Sequence, residues 1–89
     1  MPTVIVPALL RQLTNGQDRV AVRGTNVRQI IEDLERQFPG IKPHLVEDGD
    51  LKSGINVSVD GEMGIGGLTD PVKENSEIYF LPAIGGGLK

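Results

Sequence analysis

The chain has 89 residues, no cysteine, three aromatic residues and a net charge of −3. That length accommodates one hydrophobic core, and the missing thiols exclude disulfides, Cys-ligated zinc and any sulfur held on a cysteine side chain. The charge divides unevenly, with six Lys/Arg against four Asp/Glu in residues 1–44 and three against eight in residues 45–89, so the acidic half argues against nucleic acid and presents either a solvated surface or a face for a basic protein.

Thr3-Val4-Ile5-Val6 is β-branched and stops at Pro7, which reads as a short strand. Arg19-Val20-Ala21-Val22-Arg23 alternates valine with polar or small residues, as a strand buried on one side does. Between them Leu9, Leu10 and Leu13 precede Asn15-Gly16, a strong turn dipeptide, so a hairpin with a wide, partly apolar loop is expected. Thr25 is a candidate helix N-cap, and Val27, Ile30, Ile31, Leu34 and Phe38 follow at helical spacing. Glu32 and Arg36 would pair on the opposite face, and Pro39-Gly40 would end the helix.

Glu47-Asp48-Gly49-Asp50 reads as a solvated loop lacking the acidic spacing of a calcium-binding loop. Ile55-Asn56-Val57-Ser58-Val59 alternates as a strand into the tight turn Asp60-Gly61, with a short partner over residues 62–65. Glu77-Ile78-Tyr79-Phe80-Leu81 is apolar almost throughout, as a central strand is, and Pro82 ends its ladder for want of an N–H. Strands at both ends of the chain around one early helix imply an α+β, β-grasp (ubiquitin-like) fold. This is a mixed sheet of four to five strands with one main helix packed across one face. Residues 39–54 do not supply the second helix that a ferredoxin-like fold requires. The domain is expected over residues 1–84, followed by a flexible Gly-rich tail over 85–89.

No constellation for catalysis is visible. His44 has neither a second histidine nor a cysteine to join it, Ser53, Ser58 and Ser76 lack a recognisable base, and Gly61, Gly64, Gly66 and Gly67 fit no phosphate-loop pattern and shape turns instead. No metal or bound cofactor is expected. No apolar run approaches the roughly 20 residues of a membrane span, and Met1-Pro2-Thr3-Val4 is strand-like and unlike a signal peptide, so the expectation is a soluble cytoplasmic protein. What remains is Pro82-Ala83-Ile84-Gly85-Gly86-Gly87-Leu88-Lys89. Glycines without Cβ atoms let a tail lie extended in a narrow channel, although frayed termini are also common.

The sequence resembles the MoaD/ThiS family of ubiquitin-like sulfur carriers over most of its length. The likeness is carried by Val6-Pro7-Ala8-Leu9-Leu10-Arg11, the helix from Thr25 through Leu34, Phe38-Pro39-Gly40-Ile41, Ile55 through Glu62, Gly66-Gly67-Leu68 and above all Phe80-Leu81-Pro82-Ala83-Ile84 running into glycines. Within the family it is most similar to the CysO-type branch. The resemblance implies a carrier and not an enzyme: a MoeB/ThiF-like activating enzyme uses ATP to adenylate the terminal glycine carboxylate, and a sulfur donor converts it to a thiocarboxylate. The acceptor would be a cysteine synthase or, second, a molybdopterin synthase large subunit. Gly86 and Gly87 align with the functional pair.

The chain departs from the pattern because Leu88 and Lys89 follow Gly87. A Gly87-Leu88 cleavage by a JAMM-type zinc peptidase is therefore expected before activation. Partner contacts are expected at Tyr79, Leu81, Ile84 and Gly85, on the sheet face and the tail. Two other functions share the fold: a ubiquitin-like modifier whose Gly87 is joined to lysines, and an interaction module that is never activated.

Overall fold

The β-branched runs and the X-Gly dipeptides decide where this chain extends and where it reverses. The computed structural model describes residues 1–64 and 66–82. Its main elements are β1 (Thr3–Ile5), β2 (Arg19–Ala21), α1 (Val27–Gln37), β3 (Val46–Glu47), β4 (Asp50–Leu51), β5 (Ile55–Val59), β6 (Glu62–Met63) and β7 (Glu77–Pro82). Short 3-10 turns occupy Ala8–Thr14, Lys42–His44 and Gly67–Thr69.

Five strands form one mixed sheet in the order β2-β1-β7-β5-β6. β1 and β7 are parallel and the other pairs antiparallel, with Ile5 opposite Tyr79 and Ser58 opposite Tyr79 on the other side. This is the expected β-grasp, with β7 at its centre. The first two strands are shorter than the sequence suggests, yet their pairing reaches one residue further through Val6 N–H to Asp18 O and Val22 N–H to Pro2 O.

The helix lies across one face because its apolar stripe must leave water. Val27, Ile30, Ile31 and Leu34 are buried against Val4, Val20, Val57, Ile78 and Phe80 of the sheet, while Phe38 packs on the edge of that core. Each fully buried aliphatic or Phe side chain contributes about 1.5–3 kcal/mol of transfer free energy. No helix in the described residues is long and apolar enough to cross a membrane.

Three local expectations are corrected. The N-cap is Asn26, whose Oδ1 accepts from Gln29 N–H at 2.9 Å, and not Thr25. Thr25 sits one residue earlier, where its N–H and hydroxyl both donate to Gln29 Oε1. Arg36 does not pair with Glu32: its Nε and Nη2 donate to Asp33 Oδ1, and Glu32 pairs with Lys42 beyond the helix end. The polar stretch at 47–50 is not a plain loop but the tip of the β3–β4 hairpin, with Asp48 and Gly49 at φ 55° and 80°. Asp60 and Gly61 repeat that geometry at 53° and 85° between β5 and β6. Two consecutive left-handed residues give the tight turn whose twist matches the flanking strands.

Of the remaining expectations, the short partner strand is seen at Glu62–Met63, and its last expected residue, Ile65, lies outside the described residues. The end of the domain and the tail, Ala83 through Lys89, lie outside them as well.

Candidate functional site: the open sheet face and the end of the central strand

Strand alternation gives β7 two occupations. Ile78 and Phe80 point into the core at 0% and 2% exposure. Glu77, Tyr79 and Leu81 are therefore on the opposite face, which no described element covers. Tyr79 and Leu81, both expected as partner contacts, lie on this same face, Tyr79 half-buried and Leu81 exposed at 41%.

The pairing register extends this face into rows. Arg19, Ile5, Tyr79, Ser58 and Met63 run side by side across all five strands, and Asn56 lies beside Leu81 in the row nearest the strand's end. Met63 is 56% exposed, Ile5 is half-buried and Ser58 lies buried beneath its neighbours. An apolar centre of Ile5, Tyr79, Leu81 and Met63 results. Its rim carries the Arg19–Glu77 ion pair, 3.5 Å apart and exposed. An apolar centre inside a polar edge is the composition that protein–protein contact surfaces share.

Ile5 and Met63 were not among the residues singled out from sequence. In Thr3-Val4-Ile5-Val6 both faces of the strand are apolar, so alternation alone cannot separate the core side from the open side. Met63 belongs to a two-residue strand too short to show a period.

β7 ends at Pro82, opposite Ile55. From there the chain leads to Ile84, Gly85, Gly86, Gly87 and Leu88, the expected tail and processing residues, all outside the described residues. The strand that would carry the tail is anchored by ladders on both sides, three pairing partners in β1 and five in β5 holding it at the middle of the sheet.

The ionisable side chains around the fold hold turns together. Asp60 Oδ1 accepts from Glu77 N–H at 2.9 Å and its Oδ2 from Ser76 Oγ at 2.7 Å. These bonds keep its carboxyl below the usual range, the Glu77 amide contributing most. Glu35 is lowered by the amides of Lys42 and Gly40, which it caps just past α1. Burial pushes Asp33 upward, but hydrogen bonds from Arg36, the Arg23 N–H and Gln37 outweigh it and the net direction is down. His44 is exposed, and no three His, Asp or Glu side chains converge as a metal site among the described residues. Ser76, buried, donates its hydroxyl to Asp60 Oδ2 and accepts from the Lys73 N–H, which closes the turn before β7.

The sequence model of the ThiS family matches residues 4–87. Sulfur carrier protein CysO of Mycobacterium tuberculosis is 33% identical over 96% of this chain and 97% of its own length. Among solved structures, a chain of the Amycolatopsis orientalis BexX/CysO complex is 39% identical with a TM-score of 0.93, over 98% of this chain and 100% of that one. Small archaeal modifier protein 1 from Methanosarcina acetivorans is 27% identical with a TM-score of 0.82, over 97% and 95%.

Proposed function

This chain belongs to the ThiS family, and from that premise we propose that it is a sulfur carrier for cysteine biosynthesis, working through the carboxylate of Gly87. The observation that carries the reading is the junction at Pro82, where a central strand with an open, apolar face leads directly into Ala-Ile-Gly-Gly-Gly. A partner that grips Ile5, Tyr79, Leu81 and Met63 would have the tail within its reach. The likeness to the CysO chain of the BexX/CysO complex supports such a docked state.

The chemistry follows from what a carboxylate lacks. Its oxygen is a poor leaving group, so the Gly87 carboxylate attacks the α-phosphorus of ATP on a MoeB/ThiF-like activating enzyme, forming an acyl adenylate and releasing pyrophosphate. Sulfide then adds to the acyl carbon, AMP departs with the C–O electron pair, and loss of the S–H proton leaves a thiocarboxylate. The carrier has no cysteine, so the chain end is the place for the sulfur. A sulfur-accepting synthase, that of cysteine first and of molybdopterin second, takes it from there. The carrier itself supplies docking and delivery, and its partners supply catalysis.

Gly87 must have a free carboxylate for this, and Leu88 and Lys89 follow it. A JAMM-type zinc peptidase acting at Gly87-Leu88 provides one. The family match ends at the same residue, Gly87, in accord with a working terminus there.

The test is intact-mass analysis after incubation of the 1–87 and 1–89 chains with activating enzyme, ATP and a sulfide source. Exchange of one oxygen for sulfur is expected in 1–87 alone. Full conversion of 1–89 without loss of Leu88 and Lys89 would overturn the processing step, and no conversion of either would overturn the carrier. The likeness to small archaeal modifier protein 1 gives a second reading its footing: isopeptide-linked lysines in place of the sulfur product would establish a modifier.

A further inference from the structure

The outer face of α1 carries a second surface, on the side of the molecule opposite the open sheet. Arg23, Arg28, Gln29, Glu32, Asp33 and Arg36 line a shallow groove of about 350 Å³ there. Its charges are not balanced. Asp33 is spent on Arg36, Gln37 and the Arg23 N–H, with its side chain 10% exposed. Glu32 is taken by Lys42. Arg23 and Arg28 are left exposed with no carboxylate partner among the described residues.

Arg36 belongs to the same surface although it is paired. Two of its nitrogens hold Asp33 Oδ1, yet its side chain remains 68% exposed, so Asp33 fixes the guanidinium at the groove's rim with donors still free. A planar guanidinium presents N–H groups in a fork that fits a carboxylate. Arg28 and Arg36 are eight residues apart on one helix, about 12 Å along its axis.

We propose that this groove is a docking site for an acidic segment of a partner protein, one that presents carboxylates to both Arg28 and Arg36, with Arg23 reinforcing the field. The form of the groove decides for a protein segment over a small anion: it is open and wide, and its walls are mainly aliphatic carbon. The chain's overall charge of −3 opposes a nucleic-acid backbone. Because α1 covers the other face of the sheet, a carrier held by its open face and tail still exposes this groove. Two partners can then hold it at once, and steering by the acidic segment raises the encounter rate.

The probe is an alanine-based helical peptide carrying two glutamates eight positions apart, titrated into the 15N-labelled full chain at low salt, with its glutamine counterpart as control. Saturable shifts at the Arg28 and Arg36 side-chain N–H signals and the Gln29 amide are expected. Arg28→Glu should weaken binding about tenfold, as should added salt, with unchanged β7 amide signals confirming the fold; Arg28→Gln should fall between. Equal shifts with the glutamine peptide, or equal responses at Arg11 and Arg19, would overturn the proposal, as would anionic phospholipid vesicles displacing the peptide from the groove. The titration needs neither tail nor activating enzyme, so its outcome is separate from that of the sulfur-carrier reading.

Discussion

Leu81→Ala separates docking from folding, because the side chain removed lies on the face of β7 that the core does not use. Full burial of a leucine is worth about 1.5–3 kcal/mol, and 41% of Leu81 is available to a partner. The loss on docking is then about 0.6–1.2 kcal/mol, or roughly three- to sevenfold in affinity. By the same scale the part of Leu81 already covered in the folded chain contributes to stability, so truncation should cost up to about 1–2 kcal/mol. Its neighbour gives the contrast: Phe80, 2% exposed, should cost about 3–5 kcal/mol on truncation to Ala while leaving the activation of whatever remains folded unchanged. The assay is pyrophosphate release by the activating enzyme against carrier concentration, using chains that end at Gly87, with urea unfolding in parallel. A raised KM for the folded carrier, with a much smaller shift of the unfolding midpoint than Phe80→Ala gives, is expected for Leu81→Ala. An unchanged KM would refute the assignment of this face, and a KM effect that disappears once the folded fraction is corrected for would refute the separation.

Three further substitutions probe the scaffold. Asn26→Ala should cost about 1 kcal/mol in urea unfolding, the usual price of an N-cap, and more than Thr25→Ala; the reverse order would return the cap to Thr25. Asp60→Asn keeps the shape and the tolerance for positive φ but removes the charge. Because the folded pKa of Asp60 lies below its unfolded value, its contribution is fully present above the ordinary carboxylate range and is lost as pH falls through the folded pKa. The difference in Tm between wild type and variant should therefore be present at pH 7 and shrink under acid, and a gap that widens on acidification would contradict the reading. Gly64→Ala would place a Cβ 1.6 Å from Asp70 Oδ2 and must displace the carboxyl that accepts from Gly66 N–H, a cost of about 1–3 kcal/mol. Adding Asp70→Ala should cancel part of that loss in a double-mutant cycle, and strict additivity would show that the clash is not the cause.

The sequence announces the elements with long periods and conceals those without. α1 shows five apolar residues at helical spacing, four of which are buried, and β5 and β7 are long enough for alternation or continuous apolarity to register. Asp48-Gly49 has the same turn chemistry as Asp60-Gly61, but its strands are two residues each, one apolar and one charged, too short for a pattern to flank it. The cap and pair assignments failed for a related reason: Thr25 and Asn26 are both good caps, and Asp33 and Glu32 are both one turn from Arg36. Which of each pair is used depends on tertiary contacts, Asn26 bridging to Pro71 and Asp33 drawn inward by the Arg23 amide and Gln37. The open face was half legible, since Tyr79 and Leu81 stand at i and i+2 of one strand, whereas Ile5 and Met63 join them only through register.

The placement of the tail on β7 and not on an edge strand has a mechanical consequence. Five residues from Pro82 to Gly87 reach at most about 17 Å when fully extended, so an enzyme that reacts with the Gly87 carboxylate must hold the end of β7 within that distance of its active site. Leu81 is then necessarily near the mouth of the channel, and the grip on the sheet face and the reach of the tail are one geometric constraint. β7 is paired with β1 over residues 77–79 and with β5 over residues 78–82, and Ile78 and Phe80 fasten it to α1 from below. The core residues of this strand thus fix the point from which the chain departs without touching any partner.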